Sequence, residues 1–225
     1  MGFGRDRAGT VVTLGFRGLA ALRRARAFHP DGLLVHGELQ GIADDLPWPS
    51  EPVAVLARLS KGAGTPGRLP DALGLAVRVP GPGSTPWDIT LTTAGHGHVG
   101  RMLPRPATTW TRGGFSSLAP YRWGDRLVWL GAWADPSSPR VPGALADLGP
   151  ALTAGPLRFV LRTGREDGRW CDSAVLTVRE VAADASRPAF DPMVNHPVGW
   201  ELCPRWLTGL RERAYAGSRA GRGTS

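Results

Sequence analysis

A chain of 225 residues that is 42% hydrophobic and 20% charged can bury a core and is too apolar to stay disordered. Its net charge of +8 and pI near 11.0 exclude less than they suggest. Lys61 is the only lysine, the arginines are scattered, and 31 glycines, 21 prolines and abundant alanine accompany them, which reads as coding bias and not as a selected basic face. Charge therefore does not argue for nucleic acid as a partner; it favours small anionic groups such as carboxylates, phosphates and propionates.

The length fits one domain over residues 1–225, with 1–8 and 221–225 read as frayed ends. Cys171 and Cys203 sit in unlike contexts without metal-ligand spacing, which suits a reduced cytoplasmic compartment. Val11 to Leu22 is interrupted by Arg17 and lacks a cleavage site, so it reads as an amphipathic helix and not as a signal peptide. Leu127 to Ala134 is too short to span a bilayer, and no membrane partner is expected.

Residues 9–27 carry Val12, Leu14, Phe16, Leu19 and Leu22 between arginines, the pattern of a helix. A turn at Asp31-Gly32 then leads into four strand-like runs, Leu33 to Gln40, Val53 to Ser60, Leu73 to Val79 and Trp87 to Thr93. No helical pattern lies between them, so they must pair antiparallel. Ala94 to Gly124 gives no clear assignment. Further strands are expected at Leu127 to Trp133, Leu157 to Thr163 and Trp170 to Val181, with a short helix at Pro142 to Leu148. Seven or eight short strands close into a barrel or fold into a sandwich. A last helix is expected from Pro204 to about Ala220.

On that helix Leu207, Arg211, Tyr215 and Arg219 fall on one face. A guanidinium one turn from a phenol favours the phenolate, the form that binds ferric iron. The plainer reading is a tyrosine anchoring the helix, with arginine stems at the rim. His29 could face a pocket, but taken alone it reads better as a surface histidine capping a helix.

Taken in order, these segments resemble the haem-dependent catalase superfamily, cut down to little more than its core. Its distal stretch is met by Arg26, His29, Gly32 and Gly37, and its next strand by Arg58-Leu59-Ser60. Asp71-Ala72-Leu73-Gly74-Leu75-Ala76-Val77-Arg78 and Trp87-Asp88-Ile89 match two further stretches. Phe190-Asp191-Pro192, the Arg211 and Tyr215 pair, and Arg222 match the stretch around the proximal ligand. The resemblance implies an α+β fold, a closed antiparallel barrel of about eight strands with N- and C-terminal helices. It also implies haem b held between the barrel and the last helix.

Carried over residue by residue, His29 would be the distal acid/base, Ser60 its hydrogen-bonding partner and Tyr215 the metal ligand, kept ionised by Arg211. Arg26, Arg58 and Arg222 would pair with the propionates, and Phe28 would belong to the same haem-binding set. Thr92 stands where the family has its distal asparagine, glycine and histidine (Ala94 to His98) where it has aromatic residues, and Gly217-Ser218 after the tyrosine where it has aspartate-threonine. A peroxidase acting on hydroperoxides, organic ones more than hydrogen peroxide, with a separate reductant, is the expected activity. Oligomers are compatible with it. A catalytically silent haem- or apolar-ligand-binding barrel and, more remotely, a phosphodiester hydrolase using His96 and His98 are the alternatives.

Overall fold

The computed structural model of the protein describes residues 32–43, 46–81, 85–183 and 188–203. Four long strands come first: β1 (Gly32–Gly41), β2 (Val53–Lys61), β3 (Leu73–Val79) and β4 (Trp87–Ala94). A single helical turn α1 (Gly97–Gly100) follows, then β5 (Gly114–Ser116), β6 (Tyr121–Trp123) and β7 (Arg126–Ala134). A 3-10 turn (Leu145–Asp147) runs into α2 (Leu148–Ala154), and β8 (Leu157–Gly164), β9 (Trp170–Val181) and β10 (Trp200–Leu202) complete the set.

The sheet is antiparallel throughout and closes on itself. The order β7-β5-β4-β3-β2-β1-β9-β8 returns to β7 through the β7–β8 pairing, giving an eight-stranded barrel, with β6 and β10 added beside one end of β7. Closure leaves these eight strands without a free edge. The seven long strands start and stop within a residue of where alternation puts them, because that alternation is itself a record of burial. In β2, Val55, Ala57 and Leu59 point inward and are buried, while Leu56, Arg58 and Ser60 point outward. Leu75, Val77, Ile89, Leu91, Phe159 and Leu176 fill the interior with them.

One mouth is plugged by aromatic rings. Trp48 stacks on Trp87 at 4.6 Å, Trp200 packs against Trp87 and Trp123 at 5.4 Å each, and the Trp48 indole N–H donates to the Ser173 hydroxyl. A β-bulge between His36 and Gly37 bends β1 against β9, and a Cβ at Gly37 would lie 2.5 Å from the Thr177 carbonyl oxygen.

Two expectations are corrected. The helical stretch starts inside the expected Pro142 to Leu148 range as the 3-10 turn Leu145–Asp147 but runs on as α2 to Ala154; it starts late because Pro142 bridges to Thr109 and the Val141 carbonyl accepts from the Trp110 amide. The unassigned stretch contains β5 and β6, three residues each. The expected helices at 9–27 and 204–220 lie outside the described residues, so strand dominates what is described. Among the described residues no helix is long and apolar enough to cross a membrane.

Candidate functional site

The outward face of β2, β3 and β4 carries two cross-strand rows. One runs Gly32, Ser60, Gly74, Thr92, and the other Leu34, Arg58, Ala76, Thr90. With strands about 4.8 Å apart, Ser60 and Thr92 stand about 10 Å from each other across β3. The residues between them are small, so the surface dips. The result is a cleft of about 170 Å³ lined by Arg58, Ser60, Gly74, Ala76, Thr90 and Thr92, with Ala189 and Phe190 closing one side.

Three residues singled out from sequence, Arg58, Ser60 and Thr92, therefore share one cleft. His29, Arg26, Phe28, Arg211, Tyr215 and Arg222 lie outside the described residues. Gly74, Ala76, Thr90 and Phe190 were not named as site residues. Two of them could have been, since Gly74 is the register partner of both Ser60 and Thr92, and Thr90 follows from Thr92 by the two-residue strand period.

Glycine is required at two points of this wall. A Cβ at Gly74 would stand 2.7 Å from the Ser60 hydroxyl oxygen, so the hydroxyl lies over the strand only because nothing projects there. A Cβ at Gly32 would collide with the Arg58 guanidinium, which lies across the start of β1. Among the described residues neither the Ser60 nor the Thr92 hydroxyl is engaged in a hydrogen bond, which leaves both available to the cleft. The end of the cleft is built by the loop after β2. There Lys61 donates to the carbonyls of Gly67 (2.8 Å) and Leu69 (3.3 Å), and the buried Asp71 carboxylate accepts from the amides of Ala63 and Thr65, both at 2.8 Å.

The side wall depends on a buried carboxylate. Asp88, on the outer face of β4 but fully covered, accepts from Arg78 Nε and Nη2, both at 2.7 Å, from Asn195 Nδ2 at 2.7 Å and from the Asp191 amide at 2.8 Å. Arg78 Nη2 also donates to the Ala189 carbonyl at 2.7 Å, and its guanidinium lies 5.2 Å from the Phe190 ring centre. Burial alone pushes the Asp88 carboxyl up, but the hydrogen bonds from Arg78, Asn195 and the Asp191 amide, with the guanidinium charge, hold it below the usual carboxylate range.

A group depressed in the folded state stabilises the fold above its unfolded pKa, and that contribution disappears as pH falls through the lower, folded value. Urea unfolding from about pH 5 to about pH 2 is therefore expected to show wild type losing its advantage over Asp88→Asn. A constant gap between the two would remove the carboxylate from this role.

His96 and His98 do not share a strand face. His96 caps and His98 lies within α1, and both are exposed. Among the described residues no group of three or more histidine, cysteine, aspartate or glutamate side chains could hold a metal ion.

A closed antiparallel barrel with a small cleft on its outer wall, lined by hydroxyls and cations, is the class of protein that this fold and site define. Compared with protein-family models and with curated proteins, the chain matches none.

Proposed function

We propose that the chain is a haem-dependent peroxidase related to the catalase superfamily, reducing organic hydroperoxides at the cleft on β2, β3 and β4. The observation that carries this reading is that Arg58, Ser60 and Thr92, the described positions at which the resemblance places site residues, line one cleft across Gly74.

The described wall suits the edge of a flat, anionic, largely apolar group. Its floor is the bare strip of Gly74 and Ala76, Arg58 adds a positive charge to the wall, and Phe190 adds a ring. At about 170 Å³ the cleft is smaller than ordinary ligand pockets of about 300–1,000 Å³, so contacts from Arg26, Phe28, Arg211, Tyr215 and Arg222 belong to the proposal. When bound, ferric haem b supplies the redox chemistry that cleaves the peroxide O–O bond, and a separate reductant restores it. The chain's own residues manage the protons. With haem in place, His29 would take the proton of the hydroperoxide and return it to the departing oxygen, Ser60 would be its hydrogen-bonding partner, and Thr92 would donate a hydrogen bond to the substrate. The Thr92 hydroxyl is shorter than an asparagine side chain, which leaves more room and favours organic hydroperoxides.

Haemin titration tests the reading. A high-spin ferric spectrum with a strong Soret band is expected at one haemin per chain. Tyr215→Phe is expected to shift that spectrum, and Gly74→Val, which fills the floor, to weaken uptake. An unchanged spectrum in Tyr215→Phe rejects the ligand assignment, and unchanged uptake in Gly74→Val rejects the cleft.

A further inference from the structure

We infer that Asp88 is a positioning residue for this cleft, a latch that holds the wall formed by Ala189 and Phe190 against the barrel. The inference rests on reading the cleft as a ligand site. Asp88 and its partner Arg78 do not line the cleft, and what they hydrogen-bond to is the segment that carries Ala189 and Phe190.

Among the described residues, every hydrogen bond between residues 188–196 and the barrel involves one member of this pair. Asp88 takes the Asp191 amide and the Asn195 side chain, its own amide donates to the Asn195 carbonyl at 2.9 Å, and Arg78 takes the Ala189 carbonyl. The remaining bonds of this segment are internal. Asp191 accepts from the Met193 amide at 2.9 Å and, through its carbonyl, from the Asn195 amide at 2.9 Å, so the turn is preformed and is fastened as a unit. Trp200 anchors the far end in the barrel mouth. Ala189 and Phe190 lie on the side of the latch away from that anchor, and their position is fixed by Asp88 and Arg78.

The test uses the full chain, amide hydrogen exchange over 188–196 and haemin as the ligand probe. Asp88→Asn is expected to raise exchange in this segment and weaken haemin binding by about tenfold, the scale of one hydrogen bond to a charged group. Asn195→Ala keeps the Arg78 and Asp88 pair and guards against a fold that fails, and it should move both readouts in the same direction by less. Asp172→Asn, which breaks the surface pair with Arg162, should move neither. The haemin-saturated spectrum should match wild type in all three, since none of these residues touches the ligand. Faster exchange with unchanged haemin affinity in both latch variants would overturn the inference and leave Asp88 purely structural. A wild-type chain that takes up no haemin would overturn the haem reading, and this inference with it.

Discussion

Alanine in place of His29 is expected to reduce peroxide-dependent oxidation of a phenolic dye by the haemin-loaded protein by about 10²–10⁴-fold, the usual worth of a positioned acid/base group. Haemin uptake should persist. The role of His29 is the one that the resemblance to the catalase superfamily implies. The described cleft walls offer hydroxyls from Ser60, Thr90 and Thr92 and cations from Arg58 and Lys61. The chain has five histidines, and His36, His96, His98 and His196 do not line the cleft. His29 is the histidine that the resemblance assigns to the site. It precedes Gly32 by three residues, about 10–11 Å of extended chain at most, and Gly32 is the register partner of Ser60. Exogenous imidazole should restore part of the lost rate. Wild-type activity in His29→Ala would instead favour the binding-only barrel.

The barrel was legible because inward and outward residues alternate in seven strands long enough to display a period. Three-residue strands have no period to display. β5 and β6 sit in a glycine- and arginine-rich stretch and take their place from neighbours, Phe115 opposite Thr93 and Ala132, Tyr121 opposite Val128. β10 exists because Trp200 fills the barrel mouth, a contact that sequence spacing does not announce.

Half of the cleft was legible in the same sense. Arg58, Ser60 and Thr92 stand out by their resemblance to family positions, and strand period then places them on one outer face. The side wall was not legible, because Asp88 meets Asp191 and Asn195 across 103 and 107 residues. The sequence marks Asp88, Arg78 and Asp191 only as members of three separate motif stretches, with nothing to say that they meet. The role of Asp88 appears when an otherwise irregular segment brings two donors to a carboxylate already paired with Arg78.

Phe159→Ala should cost about 3–5 kcal/mol in urea unfolding, the range for removing a large aromatic side chain from a packed core. Phe159 is fully buried on β8, the strand whose pairing with β7 closes the barrel, and its ring meets Phe115 edge-on at 6.2 Å. Its loss opens a cavity that backbone bonded on both sides cannot collapse to fill. Against an ordinary domain stability of about 5–15 kcal/mol this is a large share. Arg68→Ala is the contrast: its pairing with Asp147 at 2.8 Å has good geometry, but the arginine side chain is 69% exposed, where solvent screens the pair and little stability is expected from it. Because the cleft lies on the outer face of β2, β3 and β4, haemin affinity of Phe159→Ala below its melting temperature should equal that of wild type. A cost no larger than that of Arg68→Ala would mean that the interior is not packed around this ring, and the closure through β7 and β8 would fall with it.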